Sequence, residues 1–202
     1  MRKEDPSSTI EIMRAVRLRG EVNLKAKHDL ESAYTLAKSI EHPWYRCQAL
    51  AQVAEFSPPS TIHAILEESF NSAMKCHDEN RRISVACRPL SVALNHDLIH
   101  LASTFLLTCT SQLDHGMDPL SKWCAVTVLH TIKNNASFLD KFYDAFVRAT
   151  AQGYGWRVER DIDYLLSDPI IQNHRHYKHH LETRKNSLLT WKADRKKCSR
   201  NQ

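Results

Sequence analysis

Apolar residues return every three or four positions along almost the whole chain, and prolines punctuate the pattern. After Asp29 the series runs Leu30, Ala33, Leu36, Ala37, Ile40, and after Pro43 it resumes at Cys47, Leu50, Val53 and Ala54. Ile62, Ile65, Leu66, Phe70, Ala73 and Met74 make a further stripe, as do Phe138, Leu139, Phe142, Ala145, Phe146 and Ala149. Such spacings lay one apolar stripe along a helix. No segment alternates with the two-residue period of a half-buried strand. Only 4 of 202 residues are glycine, against a usual share of roughly 7%. That scarcity argues against β-sandwiches, dinucleotide-binding sheets and phosphate loops, all of which lean on glycine. The expectation is an all-α fold without a sheet.

Local signals set the helix ends. Ser8-Thr9-Ile10-Glu11 reads as a capping box. The helix it opens carries Ile12, Val16 and Leu18 and is expected to end near Gly20. His42-Pro43 and the segment Phe56 to Ser60 are breaks, because the residue before proline avoids helical geometry and proline suits a first turn. Pro89 is expected to kink or shorten its helix. Asn95-His96-Asp97, Asp114 to Pro119 and Asn134-Asn135 are further breaks, and Gly153 and Gly155 close a helix ahead of a short one over 156–166. A last helix opens at Pro169. The breaks are short, as in a compact helical domain. About nine or ten helices are expected in one domain, 1–202, with a body over 28–166 and a basic C-terminal helix and tail over 167–202.

The chain also repeats. Pro43 to Leu50 aligns without gaps on Pro119 to Val126, an offset of 76, and Asn80 to Ala86 falls between them at an offset near 36. Tyr154-Gly155-Trp156-Arg157 is a weaker echo. A period near 36–40 with two helices each points to an α-solenoid. The stretch from Ala33 to Ala54 resembles the pattern A-x-x-x-A-x-x-I-x-x-P-x-x-R-x-x-A-L-x-x-[IV]-A of HEAT-like bacterial α-helical repeat proteins of uncharacterised function. The resemblance covers residues 28–166. It implies a right-handed α-α superhelix of stacked antiparallel helix pairs that binds other macromolecules, and it carries over no catalytic residues.

The net charge of +5 is uneven. Residues 1–27 carry +3, residues 28–173 carry −5, and residues 174–202 carry +7. The six cysteines have no CxxC pair, so reduced, buried thiols in a cytoplasmic protein are expected rather than a disulfide framework or a zinc site. The N-terminus lacks the apolar stretch of a signal peptide. The longest uncharged apolar run, Leu98 to Leu113, is shorter than the roughly 20 residues a bilayer requires. No motif asks for a cofactor.

Two groups of cations are candidate binding residues. Arg46, Arg82, Lys122 and Arg157 occupy similar places in the repeats and would line one surface able to meet an acidic or phosphorylated protein. Glu41, Asp78 and Asp118 stand about a turn ahead of three of them, so internal ion pairs are the competing reading. In the C-terminal segment, Ile170, His174, Tyr177, Leu181, Arg184, Leu188 and Trp191 form a narrow amphipathic seam. Arg175, Lys178, Lys185, Lys192, Lys196 and Lys197 flank it. Those six can meet nucleic acid phosphates, or the helix can dock on the acidic body. His174, His176, His179 and His180 cluster without an evident third metal ligand, and His63, His100 and His130 have no identifiable catalytic partner. The expected function is a non-enzymatic helical-repeat scaffold that binds another protein. The alternative is a nucleic-acid-associated helical protein using the basic C-terminal segment.

Overall fold

The computed structural model describes residues 8–115, 124–151 and 156–200, with side chains over 8–113, 124–151 and 158–193. Eleven helices and no strand occur among the described residues. The chain divides into two compact units, 1–112 and 113–202.

In the first unit, α1 (Thr9–Lys25) opens with the capping box. Ser8 accepts from the Glu11 amide, and the Glu11 carboxylate accepts from the Ser8 amide. The helix does not stop at Gly20. Val22 and Ala26 are buried beyond it, and that burial offsets a helical-glycine cost of about 1 kcal/mol. Ala15 is the other buried position, whereas Val16 is exposed, so the buried face is rotated from the one the spacing predicts. Then come α2 (Leu30–Lys38), capped by Asp29, and α3 (Pro43–Glu55), opened by proline. Next are α4 (Pro59–Met74) and α5 (Glu79–Asn95), the latter capped by Asp78. α6 (Ile99–His115) follows a turn in which Asp97 has a positive φ of 57°. α5 runs on through Pro89 rather than ending there.

Packing in this unit follows two rules. Neighbours in sequence pack together, α1 on α2, α2 on α3, α3 on α4 and α4 on α5; and odd helices pack on odd helices, α1 on α3 and α3 on α5. Buried positions recur 36 residues apart. Ala33, Ser69 and Phe105 share one place in the pattern, and Ala37, Ala73 and Cys109 another. Cys47 recurs as Ile83, Leu50 as Ala86 and Ala54 as Leu90. One place keeps small residues throughout, Ala37, Ala73 and Cys109, whereas others exchange small for large, as Ala33 and Ser69 give way to Phe105, which stacks on Phe70 at 4.1 Å.

The second unit contains α7 (Cys124–Ile132), α8 (Ala136–Ala151), α9 (Trp156–Leu166), α10 (Pro169–Asn173) and α11 (Arg175–Arg200). The expected continuous last helix is two helices. His174 leaves helical geometry, with φ −92° and ψ 94°, and this break adds to the helix number. It also shifts the seam: Ile171 rather than Ile170 is buried ahead of Tyr177, Leu181, Arg184 and Leu188. α11 packs on α8, α9 and α10. Tyr177 donates to the Leu139 carbonyl at 2.8 Å, and Arg184 Nε to the Thr150 carbonyl at 2.7 Å. Arg184 thus sits in an apolar seam because it caps a buried carbonyl near the end of α8.

Candidate functional site

The odd helices of the first unit each carry a polar stripe beside their buried one. On α1 it is Arg19 and Asn23, on α3 Gln48, Gln52 and Glu55, and on α5 Arg88, Ser91 and Asn95. Because α1, α3 and α5 lie side by side, the stripes meet and line a polar groove with a cavity of about 240 Å³. Ala51 and Val92 form its apolar share.

Arg19 organises one side. It donates from Nη1 to Gln48 Oε1 at 2.9 Å and lies 5.7 Å from the Tyr45 ring centroid. Its Nε is buried without a hydrogen-bond partner, a costly state for a cationic donor. Arg88 is exposed and makes no ion pair among the described residues. Gln52 donates to Glu55 at 3.2 Å. The groove therefore offers two guanidinium groups, three side-chain amides besides Gln48's engaged oxygen, and one carboxylate. That donor-rich set suits hydrogen bonding to an extended backbone and charge-assisted bonding to a carboxylate. Nothing in it pairs a nucleophile with a base.

The cations singled out in the sequence have other occupations. Arg46 bonds Glu68 of α4 at 2.6 Å, and Tyr34 of α2 donates to the other Glu68 oxygen at 2.8 Å. Its partner is thus Glu68 rather than Glu41. Burial works to raise the Glu68 carboxyl, but hydrogen bonds from Arg46 and Tyr34 outweigh it and hold the group below the ordinary carboxylate range. Arg82 bonds Gln112 of α6 at 2.9 Å and the Cys76 carbonyl at 3.2 Å, and pairs with Glu79 at 3.2 Å. Asp78, expected beside Arg82, caps α5 and faces Arg81 instead. Lys122 lies outside the described residues, as does the Arg157 side chain.

In the second unit, two flanking lysines of the seam are held by α9. Lys185 pairs with Asp163 at 2.7 Å, and Lys192 pairs with Glu159. Arg175 is exposed and Lys178 half-buried. Lys196 and Lys197 continue α11, but their side chains lie outside the described residues. The histidines separate: His180 meets Thr150 Oγ1 at 2.8 Å, and His174 leans on Tyr177 with Asp140 3.7 Å away. No group of three or more metal-ligating side chains occurs among the described residues, and no described helix is long and apolar enough to cross a membrane.

The groove residues went unremarked in the sequence because Gln48, Gln52 and Glu55, at i, i+4 and i+7, look like any solvated helix face. The usable signal was that three helices two elements apart carry such stripes at once. No family model, curated protein or solved structure matches this chain.

Proposed function

We propose that this chain is a non-enzymatic helical-repeat scaffold that binds an extended segment of another protein in the groove of α1, α3 and α5. The observation that carries the reading is the meeting of three polar stripes around Arg19 and the exposed Arg88. The underlying fold is a HEAT-like, right-handed α-α superhelix of stacked antiparallel helix pairs. The 36-residue recurrence of buried positions and the odd-on-odd packing support it. Solenoids of this kind recognise partners on extended concave surfaces. An acidic side chain in the segment would form a charge-assisted hydrogen bond with the exposed Arg88 guanidinium.

Affinity capture from native lysate, with and without nuclease, tests the proposal. The expected result is a nuclease-resistant protein partner retained by the intact chain and lost by Arg88→Glu. A partner released by nuclease, or one bound equally by Arg88→Glu, overturns it.

A further inference from the structure

The outward face of α1 is a second apolar seam. Ile10, Met13, Arg17, Gly20 and Leu24 step by 3, 4, 3 and 4, the spacing of a two-helix coiled coil. They stand opposite Ala15, Val22 and Ala26, which α1 buries within its own unit. Ile10 is 80% exposed, Met13 67% and Leu24 76%. An exposed helix face is ordinarily polar, and three large apolar side chains at seam spacing are not the scattered singles of a normal surface.

Gly20 is the second observation. A Cβ built there meets nothing within 4 Å, so the unit's own packing does not require glycine. Mid-helix glycine costs stability relative to alanine. What it permits is close approach by another backbone at the middle of the seam. The charges make the third observation. Arg14 and Arg17 precede Gly20, Glu21 follows it, and Arg17 holds Glu21 only across an exposed 3.6 Å contact. Both signs lie on one short face, in the order that a two-fold axis brings into register.

We infer that α1 pairs antiparallel with α1 of a second copy of this chain. In the register that seats Met13 against the partner's Leu24, Arg17 crosses the partner's Gly20 and reaches the partner's Glu21. The two-fold repeats each contact. A wholly basic or wholly acidic partner helix would satisfy one sign of the face and oppose the other; a second copy satisfies both. One helix pair buries less than a standard interface of roughly 1,600 Å², so the association belongs to the weak class.

Sedimentation equilibrium of the full chain over a concentration series tests this. The expected behaviour is a monomer–dimer equilibrium weakened at least about tenfold by Met13→Asp or Gly20→Leu. Arg17→Glu and Glu21→Arg should each abolish the homodimer, and an equimolar mixture of the two should restore association as a heterodimer. These positions are exposed, and recovery on mixing shows that both variants are folded. A chain that stays monomeric to its solubility limit, a dimer indifferent to these changes, or variants that fail to recover on mixing overturns the inference.

Discussion

The thiol of Cys47 on α3 lies 3.5 Å from the carbonyl oxygen of Val85 on α5. Val85 stands four residues before Pro89, whose ring nitrogen has no hydrogen to give. The Val85 carbonyl therefore loses its helical donor, and a neighbouring helix supplies a weak one. Burial pushes the Cys47 thiol pKa up to about 12, which keeps its proton in place. Cys47 in turn accepts, through its backbone carbonyl, a 2.8 Å bond from Ser69 of α4. One residue, through its thiol and its carbonyl, thereby ties three helices together at the point where α5 should be weakest.

Cys47→Ala should accordingly destabilise the protein by about 1–3 kcal/mol, the cost of stranding a buried acceptor. In a Pro89→Ala background, where an alanine amide again bonds Val85, the same change should cost about 1 kcal/mol less. Urea denaturation of the four proteins of this cycle measures the coupling. Additive losses would dissociate the thiol from the proline.

The Arg46–Glu68–Tyr34 cluster predicts an acid limb to stability. Glu68 has a folded pKa below its ordinary 4.5. Its contribution is therefore complete above the unfolded pKa and is lost as pH falls through the folded one. Thermal melts between pH 6 and pH 3 should show a smaller decline for Glu68→Gln than for the parent. Removing Arg46 alone should cost more than an exposed pair's 0–1 kcal/mol, because a half-buried carboxylate is left behind.

Helix type and most helix ends were legible because each rests on local chemistry, as with Ser8 and Glu11 and with proline at 43, 59 and 169; the caps Asp29 and Asp78 come from the structure. Three features were not. Gly20 and Pro89 are local helix breakers, but Val22 and Ala26 on one side and Cys47 on the other compensate through tertiary contacts that spacing cannot reveal. The break at His174 interrupts an unbroken apolar period and answers to packing on Tyr177. For Arg46 and Arg82, the matched places in the sequence were readable, but the partners were not. Arg46 reaches Glu68, 22 residues on, a partner that no local spacing can name; Arg82 takes Glu79 on its own helix and Gln112, 30 residues on, because Asp78 is engaged as the cap of α5.

His180 should make the second unit acid-sensitive closer to neutrality. Burial lowers its pKa below the ordinary 6.5, and the Arg184 and His179 charges lower it further. A histidine held neutral in the fold contributes stability above its unfolded pKa, and that contribution falls away as pH drops through the folded value. Lowering pH from 7.5 to 5.5 should reduce the melting temperature, and His180→Gln should flatten that dependence. An unchanged slope would assign the effect to other groups.

The C-terminal helix carries the strongest positive charge, so its affinity for nucleic acid is the sharpest test against the scaffold reading. If Arg175, Lys178, Lys185, Lys192, Lys196 and Lys197 each neutralised a phosphate, log affinity would fall with log salt at a slope of about −5.4 on duplex DNA. Lys185 and Lys192 already face Asp163 and Glu159, and the Asp163 bond raises the Lys185 pKa. To reach a phosphate they must first leave carboxylates. The expected result for the intact chain is weak binding near physiological salt with a slope no steeper than about −3.6, the value for four contacts. Asp163→Asn with Glu159→Gln frees both lysines without adding a cation and should steepen it toward the six-contact value. Titrations of labelled duplex DNA and RNA at several salt concentrations give both slopes. Sub-micromolar binding by the intact chain, with the six-contact slope already in place, would mean that the lysines abandon α9 for phosphate and that nucleic acid, rather than a protein segment, is the partner.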